Sequence, residues 1–219
     1  MRTLPAFFLV PVAVLVAGVS ATAAQEPAVG PGKVEVGGFP IGGIFFGGGD
    51  GNKEANFNVY SAGANLTCYV AERAAIEGEF AIGLGLAQDV VFNNRTVFHG
   101  QMPHVWSYFG NVVFFPGGTA GKHLPYYVTG GVGALSLQSR LLTKQFGYDA
   151  DTVGVRTFTA ENIGGGVKIF RDAAPEWGFR VDYRYLIVNA NSDAPAFFAR
   201  AKRRGGHRVT FGVLFTPKR

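Results

Sequence analysis

The chain of 219 residues has little of several features that define other classes of protein. Its single cysteine, Cys68, excludes an intramolecular disulfide. Charged residues make up only 16% of the chain, and the four histidines are scattered without metal-ligand spacing. Glycine runs such as Gly47–Gly51 lack the helix and the Lys-Ser/Thr pair that a phosphate-binding loop needs. We therefore expect no cofactor and no metal.

Long apolar runs are also scarce. The one at Leu4–Val19 follows Met1-Arg2 and precedes an Ala-x-Ala site, which predicts a secretory signal peptide over residues 1–24. A retained anchor is less favoured, because a spanning helix needs about 20 apolar residues. No cysteine stands directly after this run, which argues against a lipid-anchored N-terminus. Residues 25–32 predict an irregular lead-in, and residues 33–219 a single domain.

The remaining chain shows an alternation of side-chain types. In Trp177–Tyr185, Arg180, Asp182 and Arg184 share one face of a strand, because successive side chains point to opposite faces. Most of the alternating runs have the ~9–11 residues of a tilted membrane-spanning strand. The eight runs are Val34–Phe46, Phe57–Val70, Ala75–Leu86, Val105–Phe115, Tyr126–Ser136, Phe158–Phe170, Trp177–Val188 and Arg208–Thr216. In the first run, Pro40 and Gly42-Gly43 indicate a bulge or an unpaired edge.

The connections between these runs alternate in length. Short links at 71–74, 116–125 and 171–176 follow the second, fourth and sixth runs. Long, more polar connections at 47–56, 87–104, 137–157 and 189–207 follow the first, third, fifth and seventh runs. Short turns at one end and long loops at the other are typical of bacterial outer-membrane barrels. The sequence therefore predicts an all-β fold, an eight-stranded antiparallel up-and-down transmembrane β-barrel with four outer loops.

Charged side chains on these runs concentrate opposite the apolar face. Because an eight-stranded barrel has room for side chains but not for an open channel, we expect a plugged polar lumen. Unpaired charge there would be costly, which favours ion pairs over catalytic groups. A soluble periplasmic lipocalin-like carrier, with its polar face in water, remains an alternative. The predicted lumen charge network consists of Glu77, Glu79, Lys168, Arg180, Asp182, Arg184 and Arg208.

Two further groups of residues predict contacts with the membrane. Aromatic residues collect near strand ends, as in the girdles of membrane barrels. The expected interface aromatics are Trp106, Tyr126, Phe170, Trp177 and Phe215. A basic cluster in the last loop either binds anionic lipid or is simply solvated. This cluster consists of Arg200, Lys202, Arg203 and Arg204.

Three segments carry a resemblance to a known family. On Tyr126–Gly133, Phe179–Tyr185 and His207–Phe215, the chain resembles the small eight-stranded outer-membrane β-barrel proteins, which include OmpA-like and OmpX-like barrels. The resemblance implies a location in the bacterial outer membrane and insertion by the barrel assembly machinery. It also implies contact with outer-membrane lipids, lipopolysaccharide among them. We expect a monomer and no nucleic-acid partner.

Two classes of function follow. The first is a non-enzymatic role in envelope integrity or surface interaction, with no catalytic residues. The alternative is an enzyme that modifies lipid A, a deacylase or acyltransferase, which needs a histidine, a serine and a carboxylate in contact. His104 and Ser107 are three residues apart, so on a strand they face opposite sides. His99 or His207 would have to approach Ser107 from another loop.

Overall fold

The computed structural model contains a closed antiparallel barrel of eight long strands and a separate two-stranded hairpin, within the residues that it describes. It describes residues 29–47, 55–92, 95–119, 123–139, 154–171, 174–190, 198 and 203–217. The barrel strands are β1 (Val34–Phe46), β2 (Phe57–Ala71), β3 (Ala74–Gly85), β6 (His104–Phe114), β7 (Tyr126–Ser139), β8 (Gly154–Arg171), β9 (Ala174–Val188) and β10 (Arg204–Phe215). The hairpin consists of β4 (Ala87–Phe92) and β5 (Arg95–Gln101).

The predicted all-β, eight-stranded antiparallel barrel is confirmed. Each barrel strand pairs with the next one along the chain, and β1 pairs with β10 to close the wall. The predicted signal peptide, residues 1–24, lies outside the described residues. No helix in the described part of the chain is long and apolar enough to span a bilayer.

The hairpin β4–β5 lies inside the connection at 87–104, where the sequence predicted only a loop. Its strands have 6 and 7 residues, which is too short for the alternation to be distinguished from ordinary variation. Paired side chains hold it together and attach it to the wall. Asp89 contacts His99 across the hairpin at 2.7 Å, and the Gln88 side chain exchanges two hydrogen bonds with the Asn58 backbone.

The irregularity expected in β1 is a β-bulge. Its register shifts between Gly38 and Ile41 against β10, and between Phe39 and Gly43 against β2. Pro40 lies within both shifts and has no N–H to donate to the ladder. The hydroxyl of Tyr60 donates to the Pro40 carbonyl oxygen instead. The extra residue therefore bends the strand without leaving this carbonyl unpaired.

The two faces of the wall differ sharply in polarity. Outward-facing apolar side chains are highly exposed, with Val112 at 63% and Val132 at 69%. Inward-facing charged side chains such as Glu77 and Arg184 are fully buried. A large exposed apolar surface marks contact with a membrane or a partner. The orientation is therefore the reverse of a soluble carrier, whose apolar face lines the interior.

Close approach of neighbouring strands predicts a strong effect at one glycine. A Cβ atom at the inward-facing Gly133 would overlap the Tyr108 carbonyl oxygen and lie 2.8 Å from the Phe109 Cα. We expect Gly133→Ala to lower the free energy of unfolding by about 1–3 kcal/mol, measured by urea unfolding in lipid vesicles. Gly110→Ala is the control, because nothing lies within 4 Å of its added Cβ. Equal midpoints for the two variants would contradict this packing.

Candidate functional site

The inward face of the barrel gathers the charged residues into one buried set. The structure places all seven residues of the predicted lumen charge network inside the wall, on β3, β8, β9 and β10. It adds Glu35 from β1, which is also fully buried. Among these eight side chains, four acids face four bases, so their formal charges cancel. We call these eight residues the lumen network.

Glu77 on β3 is the centre of the lumen network. Its Oε2 lies 2.5 Å from Arg180 Nη1, and its Oε1 lies 2.6 Å from Arg184 Nη2. The side-chain amides of Asn65 and Asn111 donate to the same carboxylate at 3.0 and 3.1 Å. Both carboxylate oxygens therefore have charged and neutral donors, as a buried carboxylate requires.

Asp182 connects the two arginines a second time. Arg180 Nη2 lies 2.8 Å from Asp182 Oδ2, and Arg184 Nε lies 2.9 Å from Asp182 Oδ1. The Tyr127 hydroxyl donates to Asp182 Oδ2 at 2.5 Å and accepts from Arg180 Nε at 2.7 Å. The guanidinium of Arg180 also lies 5.0 Å from the centre of the Tyr127 ring. Both guanidinium groups are therefore held in one orientation by several acceptors.

Glu79 extends the lumen network towards β10. Its Oε1 lies 2.7 Å from Arg208 Nη2, and its Oε2 lies 3.3 Å from Arg184 Nη1. Arg184 thus contacts three carboxylates, those of Glu77, Glu79 and Asp182. The six residues of this part of the network form one continuous set of ion pairs.

Lys168 and Glu35 form a separate pair nearer the end of the barrel that carries the short turns. Lys168 Nζ lies 2.7 Å from Glu35 Oε1 and 2.8 Å from the Tyr69 hydroxyl oxygen. The Tyr69 hydroxyl donates to Glu35 Oε2 at 2.8 Å. The ammonium also lies 5.1 to 5.7 Å from the ring centres of Tyr69, Phe115 and Tyr127. Glu35 was missed because the irregular β1 obscured its alternation, although Val34 and Val36 flank it on the opposite face.

Apolar side chains fill the barrel on both sides of the lumen network. At the turn end, Phe115 stacks on Tyr69 at 5.7 Å, and Val29 of the lead-in is fully buried with them. This turn-end cluster comprises Val29, Tyr69, Ala75, Val113, Phe115, Tyr127, Phe170 and Leu214. At the opposite end, which carries the long loops, Phe198 stacks on Phe158 at 5.9 Å. This loop-end cluster includes Ile44, Phe46, Val59, Val105, Leu135, Phe158, Ala160 and Phe198.

The predicted interface aromatics divide between the two sides of the wall. Trp106, Tyr126 and Trp177 are exposed on the outer face, and Phe215 packs on Trp177 with ring centres 4.7 Å apart. The assignment of Phe170 was wrong, because its side chain is only 5% exposed and belongs to the turn-end cluster. Phe170 is two residues from Lys168 on β8, so the alternation places both side chains on the inward face. This indication was overlooked because Phe170 is aromatic and lies near a strand end.

The basic cluster of the last loop is also divided. Arg200 and Lys202 lie outside the described residues, and Arg203 is exposed. The assignment of Arg204 to lipid contact was wrong, because its side chain faces inward and is 1% exposed. Its Nη2 donates to the Ala55 carbonyl oxygen at 2.6 Å, and its guanidinium lies 6.0 Å from the Phe198 ring centre.

The residues considered for a catalytic triad are not brought together. Ser107 faces the interior and is 1% exposed, whereas His207 lies on the outer face beside Tyr183. His104 Nδ1 accepts a hydrogen bond from the Gly85 backbone N–H at 3.2 Å. His99 Nδ1 contacts Asp89 on the hairpin. Within the described ranges, no group of three His, Cys, Asp or Glu residues could hold a metal.

The geometry defines the class of protein. A closed wall pairs its strands without a free edge, its outer surface is apolar, and its charges are paired inside. In a bilayer, only helices and closed barrels satisfy all the backbone polar groups. The eight-stranded wall, with long connections at one end, is the outer-membrane form of this solution. The chain is therefore an integral β-barrel protein of the outer membrane.

Comparison with known proteins agrees on the fold. No protein-family model and no curated protein matches the sequence. Neisserial surface protein A is similar in structure, with a TM-score of 0.52 and 10% identity over 84% of this chain and 95% of that chain. OprG from Pseudomonas aeruginosa has a TM-score of 0.49 and 11% identity, over 87% of this chain and 98% of that chain. Ail of Yersinia pestis was solved in complex with the heparin analogue sucrose octasulfate. Its TM-score is 0.49 and its sequence identity is 13%, over 85% of this chain and 99% of that chain.

The isolated pair of Lys168 and Glu35 predicts a non-additive effect on stability. Lys168→Met leaves the Glu35 carboxylate buried without its cation, and we expect a loss of about 3–5 kcal/mol in the free energy of unfolding. Adding Glu35→Gln should restore much of this loss, giving a coupling of at least about 1 kcal/mol in urea unfolding. The exposed pair of Asp89 and His99 provides the control. Asp89→Asn should lower the free energy of unfolding by only about 0–1 kcal/mol. Additive effects of the two substitutions would argue against a coupled pair.

Proposed function

We propose that the protein is a non-enzymatic, non-conducting outer-membrane barrel that acts as a monomer in envelope integrity or surface interaction. The observation that carries this proposal is the filling of the interior at three successive levels. The turn-end cluster, the lumen network and the loop-end cluster follow one another along the barrel. The interior of an eight-stranded barrel is just wide enough for side chains to fill. Side chains at each of these three levels therefore close the interior to a continuous channel.

The lumen network supports a structural role over a transport role. A conducting pore needs charged or polar groups that a passing ion can contact in water. Here the carboxylates of Glu77 and Asp182 each contact two arginines, and none of these side chains is more than 7% exposed. Opening a path would require these pairs to separate inside a medium that solvates charge poorly. The network is therefore suited to holding the eight strands together.

The loop end supports a surface role. The hairpin β4–β5 continues beyond the wall strands and presents Asp89 and His99 with side chains 63% and 70% exposed. Arg203, at the start of the last strand, is exposed at the same end. Exposed charges at the headgroup level can form charge-assisted bonds with lipid phosphates. We assign this end to contact with outer-leaflet lipids, lipopolysaccharide among them, and with external molecules.

The filled interior predicts an absence of steady conductance. The purified protein, inserted into a planar lipid bilayer, should give no stable current steps where a sixteen-stranded porin in the same bilayer does. Heat-dependent migration on a gel verifies that the inserted material is folded. Stable, voltage-independent current steps from folded protein would refute a filled interior.

The division of the basic cluster predicts different consequences for two neighbouring arginines. We expect Arg203→Ala to weaken binding of lipopolysaccharide by up to about fivefold, since one exposed charge contributes roughly 1 kcal/mol or less. Arg204→Ala should instead lower the urea midpoint, because it removes the hydrogen bond to Ala55. Native mass spectrometry with added lipopolysaccharide measures the first effect. A lipid affinity unchanged by Arg203→Ala would remove this residue from the surface role.

A further inference from the structure

Three polar side chains meet on the outward face of the wall, near the loop end. Tyr183 and Tyr185 lie on β9, and His207 is paired in register with Tyr185 on β10. The Tyr183 hydroxyl lies 2.8 Å from His207 Nδ1, and the ring centres of Tyr185 and His207 are 5.1 Å apart. Tyr183 is 46% exposed, and His207 is also exposed. We call these three residues the outer cluster.

The position of the outer cluster along β10 places it at the edge of the apolar band. Phe215 packs on the exposed Trp177 at the turn end, and Gly205 precedes Phe215 by ten residues in the same strand. Ten residues rise about 25 Å along the barrel axis, at about 3.3 Å per residue and a tilt of about 40°. The apolar band of such barrels is also about 25 Å tall. Gly205 therefore lies where the acyl chains of the outer leaflet meet the headgroups.

Gly205 determines where the Tyr185 hydroxyl lies. A Cβ atom at Gly205 would overlap this hydroxyl oxygen and lie 3.0 Å from the Tyr185 Cζ. Gly205 is two residues nearer the loop end than His207, the register partner of Tyr185. The tyrosine ring therefore leans along the wall towards the loop end, and its hydroxyl lies at the level of the headgroups.

The outer cluster retains hydrogen-bonding groups that the described residues do not use. Tyr183 and His207 Nδ1 share one hydrogen bond. The other ring nitrogen of His207, Nε2, and the Tyr185 hydroxyl form no hydrogen bond with any residue that the structure describes. Polar groups on the lipid-facing side of a membrane protein are costly unless they find a partner. These two groups therefore indicate a partner supplied by the membrane.

The neighbours of the outer cluster match the two parts of an anionic lipid. On the loop side, Arg203 is exposed and lies two residues beyond Gly205, so the alternation places it on the same outward face. On the membrane side, Phe45 is paired in register with His207 and is 46% exposed. The Phe45 ring extends over Gly43, towards the membrane centre. A positive charge thus lies above the outer cluster and an apolar surface below it.

The chemistry of the unused groups identifies the part of the lipid that binds. When the Tyr183 hydroxyl donates to His207 Nδ1, the imidazole carries its proton on Nε2 and donates outward. A phosphate oxygen accepts from such an N–H and from a tyrosine hydroxyl, in charge-assisted bonds. Glu161, an outward carboxylate on β8, is two strands from β10 and accepts from Asn189 at 3.3 Å.

We propose that the outer cluster binds the phosphate of an outer-leaflet lipid. Nε2 of His207 and the Tyr185 hydroxyl donate to the phosphate, and Tyr183 holds the imidazole in the orientation that this requires. The acyl chains lie against the apolar wall below. The site rests on the proposed surface role and names the lipid group and the wall residues that carry it.

Removal of a single hydroxyl tests the site. We expect Tyr185→Phe to weaken binding of lipid A by about three- to tenfold, because it removes one hydrogen bond and keeps the ring. Native mass spectrometry of the full chain in detergent micelles with added lipid A measures this affinity. Tyr126→Phe is the matched control, because Tyr126 is an exposed tyrosine of the same wall at the turn end. Equal affinity of Tyr185→Phe and the unmodified protein would overturn the proposal.

Displacement of the same hydroxyl provides a second variant. Gly205→Ala adds a methyl group where the Tyr185 hydroxyl lies, so we expect it to weaken lipid A binding while the urea midpoint stays unchanged. Gly78→Ala should change neither quantity, because nothing lies within 4 Å of its added Cβ. Heat-dependent gel migration confirms that each variant is folded. An affinity of Gly205→Ala equal to that of Gly78→Ala would contradict the assigned position of the hydroxyl.

The dependence on phosphate separates this site from general contact with acyl chains. The unmodified protein should bind lipid A more tightly than lipid A from which both phosphates have been removed, and Tyr185→Phe should reduce this difference. Equal affinity for the two lipids would reject a phosphate site. Displacement of lipid A by inorganic phosphate alone would reject the lipid as the source of the phosphate. If Arg203→Ala weakens lipopolysaccharide binding and Tyr185→Phe does not, the surface role stands and the outer cluster is excluded from it.

Discussion

The ion pairs between Glu77 and the two arginines, Arg180 and Arg184, set the conditions for the rest of the structure. A small closed barrel can take charge into its interior only if the charges neutralise one another and every remaining donor finds an acceptor. These pairs join β3 to β9, which lie on different parts of the wall, so they connect strands that share no ladder. The outward positions of the same strands carry aliphatic and aromatic side chains and no charge.

The interior is organised in layers rather than as one polar lumen. The two apolar clusters shield the ion pairs from the aqueous phases at both ends, which strengthens the attraction between the charges. Lys168 shows this arrangement locally, since its ammonium is enclosed by three aromatic rings and one carboxylate. The loop-end cluster places a comparable layer of phenylalanines on the other side of the lumen network. The filled barrel is thus a sequence of environments along one axis.

The fold could be predicted from the sequence because the alternation of inward and outward side chains recurs along the chain. Alternation in eight runs and the unequal lengths of the connections predicted the number of strands, the face of each strand that points inward and the charges on that face. The prediction failed where the type of a residue and its place at a strand end suggested one face of the wall and the alternation along the strand indicated the other. Phe170 looked like a girdle residue because it is aromatic and terminal, and Arg204 looked like a loop residue because three basic residues precede it. Glu35 was hidden by the bulge at Pro40, which interrupts the period within β1. Packing across the barrel determines which charged side chains pair with one another, and these pairs cannot be predicted from the spacing of residues along the sequence.

The pairing of β1 with β10 has a consequence for how the wall is completed. Seven of the eight barrel ladders in the described chain join strands that follow one another, whereas this ladder joins Val36 to Phe215. Closure therefore requires β10 to pair with β1. Until then, the growing sheet has two open edges, and open edges are templates for aggregation. The β1–β10 ladder is therefore the contact that removes both open edges at once.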